Sequence, residues 1–179
     1  MDKVLAEILG IFAADGCMQA NYLCIWGNLK EERDYYDNHL VSLFKKKFNL
    51  ILKMHPKGSN SLHGFHLCDR KILNLFNQLG FHKGNKTYDL EVPQLVLENQ
   101  SVYSDFIRGY FDGDGCLNFQ NRTGRYKFEK KRYHYYPRLI ISSVSKKIIN
   151  QLCFMLSNLK LNILVIQVIE KNIANLMPI

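Results

Sequence analysis

The sequence lacks the features that mark a membrane, secreted or zinc-binding protein. No stretch approaches the roughly 20 consecutive apolar residues that span a bilayer, and residues 1–6 carry mixed charge where a signal peptide would be apolar. The five cysteines include no C-x-x-C pair and no spacing typical of a zinc site. These absences predict an intracellular protein with reduced thiols and no membrane partner.

The composition favours a folded and basic protein. Of 179 residues, 47% are apolar and 22% are charged, which is typical of a globular chain. This length fits one domain of ordinary size or two small domains fused together. The formal net charge of +8 indicates a polyanionic partner, with nucleic acid ahead of a membrane surface.

One segment of the chain occurs twice. Residues 8–17 read ILGIFAADGC and residues 107–116 read IRGYFDGDGC, and six of the ten positions are identical without a gap. Two unrelated helix ends that both stop at Asp-Gly would explain that pair, but not the shared Ile, Gly, Phe and Cys. The repeat therefore predicts two equivalent halves, which we place at residues 1–99 and 100–179.

Hydrophobic periodicity predicts the same start for each half. In the first half we expect a motif helix, strands within 18–26, a helix over 31–48, strands at 50–55 and 62–68, and a helix over 71–79. In the second half we expect a motif helix over 103–113, strands at 117–121 and 135–142, a helix over 146–159 and a strand at 162–169. A linker is expected at 92–101. The fold class is thus α+β, with a second half abbreviated at its C-terminus.

Asp15 and Asp114 close the two motif helices at matched positions, each followed by a Gly expected at the C′ position. A helix C-terminus carries partial negative charge, so a carboxylate there is mildly unfavourable unless a cation is bound. Carbonyls left free at the helix ends, at Ala14 and Gly113, are expected to complete the shell of a metal ion. The alternative is a local turn bond made by each Asp, but the repetition favours a metal site.

Small residues inside both motif helices predict that the two helices touch backbone to backbone. A Gly in a helix interior costs about 1 kcal/mol relative to Ala, and close packing would justify that cost. Such packing would bring Asp15 and Asp114 to one end of the pair, which suits metal-assisted phosphodiester hydrolysis. The expected contact residues are Gly10, Ala13, Gly109 and Asp112.

Positive charge is concentrated between two predicted strands of the second half. The basic residues there are interleaved with tyrosines and opposed only by Glu129. A hairpin tip of this composition is expected to follow a DNA backbone, and a solvated hairpin protected from aggregation by its charge is the alternative. The basic residues are Arg122, Arg125, Lys127, Lys130, Lys131, Arg132 and Arg138.

Polar side chains on the predicted strands are the candidates for reading DNA bases. Strand side chains reach base edges in the major groove, although a slip of one residue would exchange the two faces. His63 and His66, assigned to one strand face, are additional candidates, and Trp26 is expected to pack. The base readers that we select are Gln19, Asn21, Asn28, Asn118 and Gln120, with Arg138.

The repeated segments resemble the paired signature of the LAGLIDADG homing endonucleases. Residues 8–16 and 107–115 each align with the nine-letter motif, and Asp15 and Asp114 fall at its second acidic position, the metal-binding acid of the family. The order of elements agrees, so the resemblance extends over nearly the whole chain. Ala13 stands at the first acidic position of the first motif, which departs from the pattern at a position that is normally not catalytic.

The resemblance implies a monomer of two pseudo-twofold-related αββαββα-type halves, whose saddle-shaped antiparallel sheets lie in the major groove. The implied activity is double-strand cleavage of a long, specific DNA site with Mg²⁺, and Mn²⁺ or Ca²⁺ could occupy the same sites. A lysine of the family supports the nucleophilic water, and Lys83 and Lys86 are the candidates for it.

The resemblance also fits an intron-encoded enzyme located in the cytoplasm or nucleoid, or in an organelle. The alternative function is a DNA- or RNA-binding protein of the same fold that does not cut, such as an intron maturase or a transcription regulator. A decayed enzyme is a third class, which the short second half suggests.

Overall fold

The computed structural model describes residues 1–58, 61–84, 88–121 and 135–165. In the first half, helix α1 (Lys3–Asp15) leads into strands β1 (Gly16–Met18) and β2 (Leu23–Asn28). A π-helical segment (Tyr35–Leu40) continues into α2 (Val41–Phe48), and strands β3 (His55–Lys57) and β4 (Leu62–Leu67) precede α3 (Arg70–Gln78). The order of helix, two strands, helix, two strands and helix is the predicted one.

The short helix α4 (Gln94–Leu97) and a 3₁₀ turn (Gln100–Val102) connect the first half to the motif helix of the second, α5 (Tyr103–Asp114). Strands β5 (Gly115–Asn121) and β6 (Tyr135–Ile141) form a hairpin, and helix α6 (Lys146–Asn158) follows it. The fold is therefore α+β with antiparallel sheets, as predicted. None of the described helices is long and apolar enough to cross a membrane.

The first sheet supplies the core of the first half. Its strands are antiparallel and lie in the order β1-β2-β4-β3. Leu23 and Ile25 of β2 are fully buried, and Phe65 of the neighbouring β4 is 1% exposed. The Phe44 ring of α2 lies 5.2 Å from the Phe65 ring, so α2 covers this inner face of the sheet. Side chains alternate along a strand, which leaves the opposite, outer face turned away from the core.

The second sheet leaves apolar side chains exposed. The β5–β6 register pairs Leu117 with Leu139 and Phe119 with Pro137, so these four residues share one face. Leu117 is 50% exposed, whereas Met18, at the equivalent position of the repeat, is 3% exposed. In the first half two further strands and α3 complete the layer, and no counterpart of them lies within the described residues.

Hydrogen bonds tie α6 to the connection between the halves. The Ser145 hydroxyl accepts from the Ile148 N–H in the first turn of α6 and donates to the Leu90 carbonyl oxygen at 2.6 Å. The side chain of Gln151 accepts a hydrogen bond from the Val92 N–H at 2.7 Å. The connection is therefore held against α6 at two points.

Several expected elements differ from the structure. The helix expected over 31–48 begins at Arg33 and contains a π-helical segment at Tyr35–Leu40, and Asn49 ends it with a left-handed backbone (φ 53°). The strand expected at 50–55 is confined to His55–Lys57, because the preceding residues pack on the core through Leu52 without joining the sheet. The linker expected at 92–101 contains α4 and the 3₁₀ turn. Residues 162–165 form no strand, and 166–169 lie outside the described residues.

Candidate active site at the ends of the motif helices

The two motif helices, α1 and α5, touch backbone to backbone at two glycines. A Cβ added to Gly10 would lie 2.1 Å from the Phe106 carbonyl oxygen, and one added to Gly109 would lie 2.2 Å from the Glu7 carbonyl oxygen. Both oxygens belong to the backbone of the facing helix, so a side chain at either position would push the helices apart. Ala13 of α1 is fully buried.

Asp15 and Asp114 are the last residues of the two motif helices. The glycine after each begins a strand with an extended backbone, at φ −77° for Gly16 and −92° for Gly115. The expected C′ role is therefore wrong in its usual left-handed form. Glycine is needed here for space, because an added Cβ would lie 2.2 Å from the Phe12 ring at Gly16 and 2.3 Å from the Phe111 ring at Gly115.

The two carboxylates end on the same side of the helix pair. Oδ2 of Asp15 would lie 2.6 Å from a Cβ added to Gly113, the residue directly before Asp114. Burial raises the pKa of Tyr110 on α5, and the negative charges of both Asp114 and Asp15 raise it further. The Tyr110 hydroxyl is thus close enough to Asp15 and Asp114 for both charges to act on it. The packing of the glycines therefore brings together the two carboxylates that the repeat singled out.

Two consecutive tyrosines from the π-helical segment reach the motif helices. The Tyr36 hydroxyl donates to Oδ2 of Asp15 at 3.3 Å, and the Tyr35 hydroxyl donates to Oδ2 of Asp112 at 2.9 Å. Burial raises the pKa of each tyrosine, and the nearby carboxylate raises it further, so both hydroxyls keep their protons at neutral pH. Asp112 was assigned to the helix contact, but the structure leaves it exposed and bonded to Tyr35.

Oxygen donors at this end of the helix pair suit a hard divalent cation. Carboxylate and carbonyl oxygens are the ligands that Mg²⁺ and Ca²⁺ prefer. Among the described residues, no group of three or more His, Cys, Asp or Glu side chains could enclose a metal ion. A cation between Asp15 and Asp114 would therefore draw further oxygens from the Ala14 and Gly113 carbonyls, from water or from a DNA phosphate.

Lys83 lies on a loop that a backbone hydrogen bond joins to β1, the strand that follows Asp15. The Gly84 N–H donates to the Met18 carbonyl oxygen at 3.2 Å, which holds this loop beside β1. Lys83 is exposed and lines a surface cavity with Gln19 and Asn21. Lys86, the other lysine candidate, lies outside the described residues.

The first sheet presents several of the predicted DNA contacts on its outer face. Asn28 and His66 share this face, Asn21 is exposed in the turn between β1 and β2, and Gln19 donates to the Cys17 sulfur at 3.3 Å. His63 is instead buried, with Nε2 2.7 Å from Oδ1 of Asp37. The shared face expected for His63 and His66 is wrong, because strand residues three apart point to opposite faces.

A cluster of aromatic and basic side chains on the outer face was missed from the sequence. The Trp26 ring lies 5.2 Å from the His55 ring, and the His55 ring lies 5.2 Å from that of His66. The Lys57 ammonium lies 5.0 Å from the centre of the Trp26 ring, within reach of a cation–π interaction. Trp26 packs, as expected. The alternation of residues 24, 26 and 28 could have placed it on the outer face, but its contacts with β3 depend on the sheet register.

The second sheet places Asn118 directly opposite Arg138, and both side chains are exposed. The backbone of Gln120 is part of β5. The other basic residues expected to follow DNA lie outside the described residues, namely Arg122, Arg125, Lys127, Lys130, Lys131 and Arg132.

A charged cluster that the sequence did not reveal joins the motif helices away from Asp15 and Asp114. Glu7 of α1 is 4% exposed, and its carboxylate accepts from Arg108 Nε of α5 at 3.0 Å and lies 2.7 Å from His39 Nε2. Arg108 also donates to Asp105 at 3.2 Å. Glu7 precedes the first repeat and Arg108 lies within the second. Their meeting depends on the helix packing, which no local pattern encodes.

Replacing Glu7 by Gln is expected to lower stability most at neutral pH. Burial alone would raise the Glu7 pKa, but hydrogen bonds from Arg108 and His39 outweigh it and hold the pKa below its usual 4.5. A depressed carboxyl pKa stabilises the fold above the unfolded-state value, and that stability is lost as pH falls through the folded-state value. We expect Glu7→Gln to cost about 1.5–3 kcal/mol at pH 7.

Thermal unfolding of both proteins between pH 7 and pH 3 tests this expectation. The gap in melting temperature between wild type and Glu7→Gln should narrow below pH 4.5, the usual Glu pKa. Glu31→Gln, at an exposed position, serves as the control and should leave the melting temperature unchanged across the range. A gap that stays constant down to pH 3 would remove the ionised Glu7 from the helix contact.

Comparisons with known proteins agree with this architecture. Residues 101–165 match the model of a LAGLIDADG-like domain. No curated protein matches the chain. Variants of the homing endonuclease I-DmoI share its fold with a TM-score of 0.55 and 16% identity, over 88% of this chain and 72% of that one.

Two DNA complexes give the same result. I-DmoI bound to nicked target DNA in the presence of manganese has a TM-score of 0.54 and 16% identity, over 88% of this chain and 77% of that one. The LAGLIDADG meganuclease I-AabMI bound to uncleaved DNA has a TM-score of 0.54 and 12% identity, over 90% of this chain and 74% of that one. At these identities the likeness establishes the fold, and together with the domain match it confirms the resemblance stated from the repeated motifs.

Proposed function

We propose that this chain, which has the fold of the LAGLIDADG homing endonucleases, is a site-specific endonuclease that cuts both strands of a long DNA site. The observation that supports this most strongly is the convergence of Asp15 and Asp114 at one end of two backbone-packed helices. A purely structural helix pair has no need of two carboxylates at an end that already carries partial negative charge.

The chemistry proposed for this end is hydrolysis of a phosphodiester. Bound Mg²⁺ would supply stabilisation of the attacking and leaving oxygens. Asp15 and Asp114 would hold the cation, and the Ala14 and Gly113 carbonyls would add oxygen donors. Lys83, held near β1 by the bond from Gly84 to Met18, would orient the attacking water. The backbone contact at Gly10 and Gly109 fixes the spacing of the acids, so geometry is set before DNA binds.

DNA is proposed to lie across the outer faces of the two sheets. The first sheet offers Asn28, His66 and the Trp26 ring for contact with DNA, and the second sheet offers Asn118 and Arg138. The net charge of +8 favours contact with phosphates, which position the duplex while strand side chains read bases. A single chain that carries both acids can act as a monomer. For an intron-encoded gene, the target would be the DNA sequence that spans the insertion point of that gene.

Cleavage of candidate targets tests the proposal. A plasmid carrying the joined flanks of the gene's insertion point, and a library of randomised sites, are incubated with the protein and Mg²⁺ or with EDTA. We expect linear product only with Mg²⁺ and only from plasmids with the target. A site that is bound tightly but never cut, with Mg²⁺ or Mn²⁺, would contradict the proposal and favour the maturase or regulator alternative.

Target binding is expected to weaken steeply as salt rises. Each neutralised phosphate releases counterions, so a change from 50 to 200 mM salt should cost about 10³-fold or more in affinity. Arg138→Ala should remove one phosphate contact and so reduce the magnitude of the slope of log K against log salt by about 1. Lys46→Ala, on the exposed side of α2, is the matched control and should leave the slope unchanged. Fluorescence anisotropy with a labelled duplex measures both, and a flat wild-type response would exclude binding dominated by phosphate contacts.

A further inference from the structure

The π-helical segment between β2 and α2 places a buried hydroxyl on one of the two proposed metal-binding acids. Tyr36 is 1% exposed, and its hydroxyl lies 3.3 Å from Oδ2 of Asp15. The same oxygen would lie 2.6 Å from a Cβ on Gly113. Oδ2 is thus held between the hydroxyl of one element and the backbone of another, which restricts rotation of the carboxylate.

Two backbone features place the Tyr36 side chain there. A Cβ added to Gly27 of β2 would lie 2.7 Å from the Tyr36 hydroxyl, so the tyrosine reaches Asp15 through space that the glycine leaves empty. The Val41 N–H donates to the Tyr36 carbonyl oxygen five residues earlier, which is the wide turn of a π-helix. Single π-helical turns in proteins often lie at functional sites.

The tyrosine beside each acid comes from a different element in the two halves: Tyr110 of α5 itself lies near Asp114, whereas Tyr36 reaches Asp15 from outside the motif helices. Helix α6 follows the second hairpin as α2 follows the first, and its residues Lys146–Asn158 include no tyrosine. Tyr35 reaches Asp112 rather than Asp114. Among the described residues, a tyrosine outside the motif helices therefore contacts Asp15 but not Asp114.

We infer that Tyr36 is a positioning residue: its hydroxyl orients the Asp15 carboxylate for divalent metal, and it does so for the first half alone. This inference rests on the proposed function of the two acids as metal ligands. Groups that orient ligating carboxylates typically contribute 10-fold to 100-fold to metal affinity or activity. The inference further takes each acid to hold metal at the scissile phosphate of its own half, beside any ion that the two acids share, so each acid is expected to serve mainly one strand. Loss of the hydroxyl should slow one strand more than the other.

Tyr36→Phe keeps the buried ring and removes only the hydroxyl. We expect its Mn²⁺ affinity to fall about 10-fold, measured from the free-ion EPR signal for the protein alone and for its complex with an uncleavable target duplex. We also expect nicked plasmid to accumulate, because cleavage of one strand is slowed more than that of the other. Strand-specific end labels report the two rates separately.

Matched variants separate positioning from a loss of fold. Tyr35→Phe removes the neighbouring hydroxyl, which contacts Asp112, and should keep the wild-type Mn²⁺ affinity and strand ratio. Gly27→Ala, whose new Cβ would crowd both Glu32 Oε2 and the Tyr36 hydroxyl, should reproduce the Tyr36→Phe strand bias. Equal slowing of both strands in Tyr36→Phe, or a wild-type Mn²⁺ affinity and strand ratio, would overturn the inference.

Failure of the inference is distinguishable from failure of the proposed function. A wild type that neither binds Mn²⁺ nor cuts any target contradicts the proposed function itself. A wild type that binds Mn²⁺ without cutting still tests Tyr36 through the metal titration. A wild type that cuts, together with a Tyr36→Phe variant that matches it in both measurements, overturns the positioning role alone.

Discussion

Asp15→Asn and Asp114→Asn are each expected to reduce double-strand cleavage by about 10³-fold or more, while target binding without metal stays within a few-fold of wild type. The amide keeps the shape of the side chain and removes its charge. Metal stabilisation of a phosphodiester transition state is worth several kcal/mol, and about 4 kcal/mol corresponds to 10³-fold in rate. Binding should be retained because the proposed contacts to DNA lie on the sheets.

The control for both variants is Asp112→Asn. Asp112 is on the same helix as Asp114, two residues earlier, but it is exposed and bonded to Tyr35. It should lose little cleavage. Single-turnover cleavage and anisotropy binding measure the three variants side by side. Full cleavage by Asp15→Asn or Asp114→Asn would contradict the assigned roles, and equal loss in Asp112→Asn would show that charge at this surface, rather than the metal site, is responsible.

Gly10→Ala and Gly109→Ala are each expected to destabilise the protein strongly by pushing the two motif helices apart. Each new Cβ would approach a backbone oxygen of the facing helix to 2.1 or 2.2 Å, and a backbone atom cannot move aside as a side-chain end can. Overpacking of a core costs about 1–3 kcal/mol, and occasionally more. A loss of about 3 kcal/mol would lower the melting temperature by roughly 6–12 °C for a chain of this size.

Calorimetry measures the loss of stability, and a cleavage assay shows whether the same substitutions also separate the two acids. Separation of the helices should move Asp15 away from Asp114, so cleavage should fall even at temperatures where the variants remain folded. Ser42→Ala, on the exposed side of α2, is the control that adds no contact to the helix pair. Melting temperatures of both glycine variants within 1–2 °C of wild type, roughly the effect of a surface substitution, would be inconsistent with backbone contact.

The central geometry could be predicted from the sequence because the motif that forms it occurs twice in the chain. The constant spacing of Gly10, Asp15, Gly109 and Asp114 pointed to paired helices with acids at one end, and the structure packs these helices through the same glycines. Apolar periodicity gave the order of the elements. It failed at residues 50–54, where apolar side chains pack on the core without a strand.

Contacts between distant segments account for what the sequence did not reveal. Tyr36 meets Asp15, and Arg108 meets Glu7, through packing that no local pattern specifies. The sequence pattern assigned no role to Tyr36, and the π-helical turn that directs it toward Asp15 leaves no mark in the spacing of residues. The His63 error had a simpler cause, since the period of two along a strand separates it from His66.

The measurement that tests the central claim most directly is a crystal structure of the protein with target DNA and Mn²⁺, with anomalous diffraction used to locate the ion. We predict a manganese peak at the shared end of α1 and α5, within a coordination distance of about 2.0–2.6 Å of a carboxylate oxygen from Asp15 and from Asp114. Scissile phosphates beside that peak would complete the arrangement. Manganese bound elsewhere, or DNA whose phosphates stay far from both carboxylates, would contradict the account.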